Sequence, residues 1–430
     1  MRHDELYLWF LADPSVPRYV GQLRLVEAGK GVSLQYGTDW LAGGFPLSED
    51  LVLTDIEQLP RWKGMAVGAV DDARPDRWGE RVIQYLDKPA RLSLMEYLYF
   101  AGDDRFGALG VSTSEAAYAP RANSPLPRLQ QAQRLSEVVH KVSARAPLSS
   151  LERRMLNAGG SFGGAKPKAL IDIGGVQWVI KFFDNEPIDV PLIEHASMTL
   201  AKLAGITVAE TQLVPLAGEN ALAVRRYDRD GLKRIHCISA GTALRAQATP
   251  EAEPELGYPS LAQLLRRAGV TDEDQNLRDM RELFRRMVFN ILIDNTDDHE
   301  KNHALQVVAP TRQGRYRLAP AYDVLTTNSA QGYQEFIVGA DRRDSTLSNA
   351  MSQCELFGYT PTQAAAEVVR VIKAVDGWRE HFAACGVTNP DLESLAERID
   401  GDSLQGQRRA FNFRHYSTAR AKKRRSPFAS

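Results

Sequence analysis

Alternating apolar and polar residues mark the start of the chain. Residues 19–26 and 31–36 alternate with the two-residue period of half-buried β-strands. Helical patterns follow at residues 76–85 and 92–100, where apolar residues recur three and four positions apart. We therefore predict that the chain opens with a small α+β subdomain.

A candidate linker lies at residues 112–127, which are rich in Ser, Ala and Pro and show no apolar period. This composition is typical of segments that connect folded parts. We therefore predict that the N-terminal subdomain covers residues 1–125.

A hairpin and a helix are predicted after this linker. The apolar segments 169–173 and 176–182 flank Gly174-Gly175, a strong signal for a two-residue hairpin turn. A helical pattern begins after Asp189-Val-Pro191 and stops at Gly205, which places Pro near its start and Gly just past its end.

The remaining pattern changes from strands to helices. Strands are predicted at residues 208–215 and 221–227, and most of the later chain has helical spacing. We therefore predict a β-rich lobe over residues 126–230 and an α-rich lobe over residues 231–430.

Composition is that of an ordinary globular protein of several domains, with 430 residues of which 43% are hydrophobic and 25% charged. The net charge of -1 gives the whole chain no attraction to nucleic acid or to a membrane surface. No apolar run approaches the ~20 residues of a membrane span, and the first ten residues resemble no targeting peptide. Three cysteines without paired spacing favour neither disulfides nor a zinc site, so we expect a reducing cytoplasm.

The segment most indicative of chemistry follows a helical pattern that runs to about Ile293. In the polar loop after it, Asp297 and Asn302 have the D-x-x-x-x-N spacing of a kinase catalytic loop. There, the Asp accepts the proton of the substrate hydroxyl and the Asn carboxamide holds a magnesium ion. The spacing alone should occur by chance about once in a chain this long. However, a predicted hairpin over residues 305–318 and then Asp323 follow in the order that phosphoryl transfer with ATP and Mg²⁺ requires.

Two other interpretations of this loop stay open. Asp297 and Asp298 could be solvated carboxylates that cap a helix. His299 and His303, four positions apart, could bind a metal, but the nearby Asp and Asn oxygens suit magnesium better than zinc. We expect His299 to position a phosphate or to orient the loop.

A lysine and a glutamate have the spacing of a second kinase feature. Lys181 lies in the predicted strand 176–182, where it could simply be a solvent-facing residue. In kinases, a strand lysine neutralises the nucleotide phosphates and pairs with a Glu of the next helix, a place that Glu194 occupies. Glu194 could also act only as a favourable charge at a helix N-terminus.

A glycine-rich loop precedes this strand pair. Gly163 and Gly164 follow Ser161, and their backbone amides could cradle phosphates, with Lys166 and Lys168 adding positive charge. The loop matches neither the P-loop nor the usual G-x-G-x-x-G of protein kinases. It therefore argues against a P-loop ATPase and against a conventional kinase.

Several segments together resemble the HipA family of serine/threonine kinases. They are Ser161-Phe-Gly-Gly-Ala-Lys-Pro-Lys168, Val179-Ile-Lys181, Leu222-Ala-Val-Arg-Arg-Tyr-Asp228, Asn295-Thr-Asp-Asp-His-Glu-Lys-Asn302 and Leu318-Ala-Pro-Ala-Tyr-Asp323. In the first domain, Asp71-Asp-Ala-Arg-Pro-Asp-Arg-Trp-Gly79 and Gly102-Asp-Asp-Arg-Phe-Gly-Ala108 resemble the N-terminal subdomain of the family. The resemblance covers most of the chain.

The resemblance implies an α+β, two-lobed protein-kinase-like fold with an extra N-terminal subdomain. It also implies roles for individual residues, namely Asp297 as catalytic base, Asn302 and Asp323 as magnesium ligands, Lys181 as the phosphate-binding lysine, Arg225 and Tyr227 in the segment that holds the adenine, and Ser161 as an autophosphorylated serine. Phosphorylation of that serine is associated in the family with loss of ATP binding, so it would act as an off switch.

The resemblance also implies partners. Family members pair with a small helix-turn-helix antitoxin, HipB, that binds operator DNA, and the best-known members phosphorylate an aminoacyl-tRNA synthetase. A basic C-terminal tail agrees with such a partner, although a solvated disordered tail is the simpler interpretation. Its basic residues are Arg408, Arg409, Arg414, Arg420 and Lys422-Lys-Arg-Arg425.

This sequence departs from the family in two places. The loop contains Phe162-Gly163 and Pro167 where the commoner pattern is Ser-small-Gly-Ala, and residues 234–244 lack the expected Glu-Asp pair. These differences indicate a divergent branch.

Three alternative functions remain at this point. A small-molecule kinase would have the same loop chemistry and a different acceptor pocket. A regulatory subunit that binds an antitoxin and DNA with little catalysis would have a broken metal site, whereas Asp297, Asn302 and Asp323 are all present. A metal-dependent hydrolase would need a richer histidine set than this chain offers.

Overall fold

The computed structural model describes residues 3–121, 124–156, 166–183, 186–249, 252–311, 314–327 and 331–417. The chain divides into two units. The first comprises Met1–Pro191, Ala209–Pro254 and Lys301–Pro320, and the second comprises Leu192–Val208, Glu255–Glu300 and Ala321–Ser430.

Strands in the described part of the chain lie in the first unit. They are β1 (Glu5–Phe10), β2 (Arg18–Val26), β3 (Gly31–Tyr36), β4 (Leu109–Ser112), β5 (Lys168–Ile173), β6 (Val176–Lys181), β7 (Thr211–Pro215), β8 (Asn220–Arg225), β9 (Arg229–Asp230), β10 (Lys233–Arg234), β11 (Cys237–Ser239), β12 (Ala304–Thr311) and β13 (Gly314–Leu318).

Helices occur in both units. They are α1 (Thr38–Gly43), α2 (Ala69–Asp72), α3 (Arg77–Leu86), α4 (Leu94–Phe100), α5 (Ala132–Ser143), α6 (Ser150–Met155), α7 (Val190–Leu203), α8 (Ala240–Arg245), α9 (Tyr258–Ala268), α10 (Gln275–Leu292), α11 (Leu347–Ser352), α12 (Pro361–Asp376), α13 (Trp378–Ala384), α14 (Asn389–Ile399), α15 (Asp402–Ala410) and α16 (Phe413–Ser417). Short 3₁₀ helices lie at Glu27–Gly29, Leu129–Gln131, Asp272–Asp274 and Cys354–Phe357.

The N-terminal sheet is antiparallel with the strand order β3-β2-β1-β4. Alternate residues such as Leu6 and Leu8 in β1 and Leu23 in β2 are fully buried, because side chains along a strand point to opposite faces. The predicted strands 19–26 and 31–36 are confirmed as β2 and β3.

A second antiparallel sheet has the order β5-β6-β8-β7. Gly174 and Gly175 join β5 to β6 with φ angles of 65° and 84°, which a two-residue hairpin turn of this type requires and glycine readily adopts. This confirms the predicted hairpin. Helices α3 and α5 supply Trp78 and Leu135 to the same hydrophobic core as Ile180 of β6.

A third sheet of the first unit has the order β11-β12-β13. The predicted hairpin at residues 305–318 is confirmed as β12 and β13. Ser239 ends β11 and caps α8, since its hydroxyl accepts a hydrogen bond from the Thr242 backbone.

The second unit is helical. The first half of helix α10 buries residues three and four positions apart, among them Met280, Leu283 and Phe284, and its last turns, Arg286–Leu292, are buried on all sides. It packs against α9 and α12, and the Phe284 ring contacts those of Phe357 and Tyr359 edge-on at 5.5 and 5.4 Å. The predicted helix to about Ile293 is confirmed, because α10 ends at Leu292.

Helix α7 also follows the prediction. It spans Val190–Leu203, and Gly205 just beyond it has a φ of +83°, the left-handed conformation common after helix ends. The mixed α+β content agrees with the predicted fold class, and the three-part division at residues 125 and 230 stays a prediction. In the part of the chain that the structure describes, no helix is both long and apolar enough to cross a membrane.

Candidate active site

The loop that carries Asp297 is fixed where it leaves α10. Its first residue, Asp294, has a left-handed φ of 57°. The Asp294 carbonyl accepts hydrogen bonds from the Thr327 backbone at 3.0 Å and from the Thr327 hydroxyl at 2.8 Å. The same hydroxyl lies 2.7 Å from that of Thr296. The carbonyl just past the end of α10 is therefore bonded to Thr327, and these bonds fix where the loop starts.

A second segment of the chain holds the middle of the loop. The backbone N–H of Glu335 donates to the Thr296 carbonyl at 3.2 Å, and that of Phe336 donates to the Asp298 carbonyl at 3.0 Å. These bonds flank Asp297 on both sides, so its backbone has little freedom.

A buried polar network lies behind the loop. The Tyr258 hydroxyl donates to the Asp298 carboxylate, and the Asn290 amide donates to the Tyr258 oxygen at 3.0 Å. The Asn295 amide donates to the Asn290 carbonyl oxygen at 3.2 Å. These side chains are all at least 97% buried, which strengthens each bond. Sequence reasoning missed Tyr258 and Asn290, because nothing in a single sequence connects them to the loop.

Asp297 is exposed, and its surroundings raise the pKa of its carboxyl. Partial desolvation by surrounding atoms raises the pKa of its carboxyl, and the charges of Asp323, Glu335 and Asp298 raise it further. The nearby His299 acts in the opposite direction. The second unit therefore places Asp297 within electrostatic range of His299 and Asp323, and their roles stay predictions.

Asp323 has an unusual backbone conformation. Its φ of +59° lies in the left-handed region, which few residues other than glycine adopt, although Asp tolerates it better than most. The residue before it in the chain, Tyr322, is 7% exposed. This turn gives the carboxylate a defined position at the end of a buried segment.

The donor set suits a hard cation. A divalent cation would offset the neighbouring negative charges that raise the pKa of Asp297, and carboxylate oxygens are the ligands that Mg²⁺ prefers. Within the described residues, no group of three or more His, Cys, Asp or Glu side chains is arranged to hold a metal by itself. A magnesium ion that keeps several waters and binds substrate phosphates needs only one or two carboxylates, so Asp323 fits this requirement.

The predicted phosphate-binding lysines are neighbours in the first unit. Lys168 in β5 and Lys181 in β6 stand directly opposite each other, and they are 7% and 8% exposed. Arg225 pairs with Trp178 at the other end of β6. Lys168 and Lys181 are therefore direct neighbours in the sheet. Arg225 lies apart from them, opposite a residue three positions before Lys181.

Three further predicted residues have clear places in their own units. Asn302 is 5% exposed and lies in the first unit just before β12. Glu194 is 1% exposed on α7. Arg225 is exposed, and its guanidinium pairs with Glu210 at 3.0 Å. Their roles stay predictions.

The segment of Tyr227 is anchored by buried charges. Asp228 is fully buried between Arg226 and Arg229, each 2.8 Å away. Burial by itself would raise the pKa of Asp228, but the two guanidinium charges outweigh it and lower the pKa to about 2. Asp228 also accepts a hydrogen bond from the Gly107 backbone at 2.8 Å. Tyr227 itself contacts the Phe106 ring at 6.3 Å between centroids.

Some predictions fall outside the described residues. They concern Ser161, Gly163 and Gly164 in the glycine-rich loop and residues 418–430 of the basic tail. All of them stay predictions.

Comparison with known proteins gives a consistent result. The family model described as HipA-like C-terminal domain matches residues 160–378. "Putative kinase Y4dM" of Sinorhizobium fredii is 32% identical over 47% of this chain and 52% of its own length. A "Putative kinase" of Haemophilus influenzae is 27% identical over 31% of this chain and 40% of its own length. The chain thus spans about half or less of the curated relatives that it matches.

A solved structure extends the likeness to nearly the whole chain. The Shewanella oneidensis HipA, solved with HipB and its operator DNA, matches with a TM-score of 0.66. The match covers 94% of this chain and 97% of that protein at 17% identity. This likeness concerns the fold, and it confirms the predicted α+β, two-lobed HipA-like architecture.

Proposed function

The chain belongs to the family that carries the HipA-like C-terminal domain, and from this premise we propose that it is an ATP- and magnesium-dependent kinase. The acceptor would be a serine or threonine of a cellular protein. The observation that carries this proposal is the loop pair of Asp297 and Asp323, whose charges lie close enough to raise the pKa of Asp297.

In this function Asp297 is the catalytic base. The side chain is exposed, so an acceptor hydroxyl can reach it. The raised pKa makes its carboxylate a better proton acceptor than an ordinary aspartate. The hydrogen bonds from Glu335 and Phe336 to the neighbouring carbonyls keep it in place.

Asp323 and Asn302 would hold magnesium, which neutralises charge on the transferring phosphoryl group. Lys181 and Lys168 would bind the phosphates, together with the backbone of Gly163 and Gly164. The segment of Arg225 and Tyr227 would hold the adenine, with Glu194 as the partner of Lys181 and His299 orienting a phosphate.

Regulation and partners belong to the same proposal. Ser161 would be autophosphorylated, and two added negative charges beside the nucleotide phosphates would oppose ATP binding. A HipB-like antitoxin would bind the chain, and through it operator DNA, by analogy with the Shewanella oneidensis complex of HipA, HipB and operator DNA. An aminoacyl-tRNA synthetase is a candidate substrate, and the cytoplasm is the expected location.

Phosphosite mapping by mass spectrometry tests the proposal. Wild type and Asp297→Asn are incubated with ATP and Mg²⁺, and we expect phosphate at Ser161 in wild type alone. Binding of ATP without phosphate on any protein would favour a small-molecule kinase. An Asp297→Asn protein that binds no ATP would contradict the kinase function and favour a regulatory subunit.

A further inference from the structure

Two buried lysines face each other across the β5–β6 hairpin. Lys168 and Lys181 are directly opposed in an antiparallel pair, so their side chains project from the same face with Cβ atoms about 4.5–5.5 Å apart. Like charges in this arrangement repel each other, and burial increases the repulsion. A negative charge beside the pair therefore stabilises it.

Asp76 supplies that charge to Lys168. Its Oδ2 lies 2.8 Å from the Lys168 ammonium, and the two side chains are 9% and 6% exposed. Its other oxygen, Oδ1, accepts a hydrogen bond at 2.8 Å from the Gly79 backbone and so caps helix α3. One oxygen of the Asp76 carboxylate therefore binds Lys168, and the other caps α3.

The same turn of α3 also fixes the backbone of Lys168. The indole N–H of Trp78 donates to the Lys168 carbonyl at 2.6 Å, and the Trp78 ring is 3% exposed in the core shared with β5 and β6. Both ends of Lys168 are thus set by residues 92 and 90 positions earlier in the chain. A fixed ammonium loses less conformational entropy when it binds a phosphate.

We propose that Asp76 is a positioning residue of the nucleotide site, which holds the Lys168 ammonium oriented beside Lys181 so that both face the phosphates. The inference rests on the proposed function and extends it to the N-terminal part of the chain. Without the Asp76 charge, less of the repulsion between the two buried ammonium groups would be offset, and Lys168 would be held less firmly beside Lys181.

The Asp76→Asn variant isolates the charge. Asparagine has the same size and keeps an oxygen that can cap α3, but it cannot form the ion pair with Lys168. A matched control is Asp87→Asn, the same change at the other end of α3, where Asp87 pairs with Arg121. Thermal unfolding of both variants checks that the fold is retained.

Calorimetric titration of the full chain with Mg-ATP, and separately with adenosine, gives the decisive comparison, with every protein carrying Asp297→Asn so that no phosphate is transferred to Ser161 during the titration. Asp76→Asn should weaken ATP binding about tenfold, the equivalent of one lost charge-assisted hydrogen bond, and leave adenosine binding unchanged because adenosine has no phosphates. Asp87→Asn should change neither. In a Lys168→Met background, Asp76→Asn should cause no further loss of ATP affinity.

Three results would overturn the inference alone, namely unchanged ATP affinity in Asp76→Asn, tighter binding, or a parallel loss of adenosine affinity. Tighter binding would mean that Asp76 withholds Lys168 from the nucleotide. An Asp297→Asn parent protein that binds no ATP would overturn the proposed function and this inference with it. If Asp76→Asn does not fold, Lys168→Met replaces it, and unchanged ATP affinity in that variant contradicts the proposal, because Asp76 is proposed to act through Lys168.

Discussion

The hydroxyl of Tyr258 donates a hydrogen bond to the carboxylate of Asp298, although 40 positions separate the two residues in the chain. Tyr258 is the first residue of α9, and Asp298 follows the proposed base in the loop after α10. Burial and the Asp298 charge raise the pKa of Tyr258 far above its usual value, so the phenol stays protonated and keeps donating. Helix α9 thereby acts as a support for the loop.

Tyr258→Phe should weaken both the loop and the proposed catalysis. The change leaves the buried Asp298 carboxylate with one donor fewer and takes the acceptor from the Asn290 amide. We expect a loss of about 1–3 kcal/mol in the free energy of unfolding, the usual cost of an unsatisfied buried polar group. Urea denaturation measures this loss, and steady-state kinetics should show that kcat falls more than ATP affinity. Tyr359→Phe, in the same unit, is the control, and an equal loss in that variant would contradict the supporting role of Tyr258.

Asp297→Asn should abolish phosphoryl transfer and stabilise the fold at neutral pH. Because the folded pKa of Asp297 is raised, the carboxyl binds its proton more tightly in the folded state, and this favourable contribution is lost as pH rises through the folded pKa. Asparagine is neutral at every pH, so the variant should gain stability over wild type at pH 7.5 and lose that gain near pH 3.

The rate of phosphoryl transfer by Asp297→Asn should be at least about 100-fold lower than that of wild type, which is the usual contribution of a general base. Urea denaturation at pH 7.5 and near pH 3 measures the stability of both proteins, and a phosphate-transfer assay measures the rate. A variant that is less stable than wild type at pH 7.5, or that retains its activity, would contradict the assignment of Asp297.

Asp228→Asn should be one of the most destabilising changes in the first unit. It removes the partner of Arg226 and Arg229 while both guanidinium groups stay buried, which costs about 3–5 kcal/mol in comparable pairs. The folded pKa of about 2 lies below the unfolded value of about 3.9. The stabilisation is therefore present above pH ~3.9 and is lost as pH falls toward 2.

Denaturation of wild type and Asp228→Asn across this pH range tests the ion pair. The difference between their free energies of unfolding should be constant above pH 5 and should become smaller below pH 4. The control is Asp230→Asn at an exposed position two residues away. A constant difference down to pH 2 would show that charge pairing is not its cause.

Sequence reasoning succeeded where the signal is local. The Gly174-Gly175 turn, the end of α10 near Ile293 and the stop of α7 before Gly205 all follow from residues within a few positions of one another. The order of Asp297, hairpin and Asp323 also survives in the structure, because it depends on chain order alone.

The long-range contacts that hold the site residues in place could not be predicted from local sequence. The Asp76–Lys168 ion pair joins residues 92 positions apart, and the Tyr258–Asp298 bond joins residues 40 apart. Any of 54 acidic residues could have neutralised a given lysine, so the choice of Asp76 appears only when α3 packs on the second sheet. Long-range polar contacts of this kind are set by tertiary packing.

Asp323→Asn should remove the response of the protein to magnesium. In wild type the charge of Asp323 raises the pKa of Asp297, and a divalent cation would relieve this repulsion, so millimolar Mg²⁺ should raise the melting temperature. Asparagine at this position removes a carboxylate ligand and the repulsion that Asp323 contributes. We therefore expect a melting temperature that Mg²⁺ no longer changes, and a phosphate-transfer rate reduced at least about 100-fold. Asp341→Asn, at an exposed position in the same unit, should behave as wild type in both assays. An Asp323→Asn variant whose melting temperature rises with Mg²⁺ as in wild type would show that the cation binds elsewhere, and the assignment of Asp323 would fail.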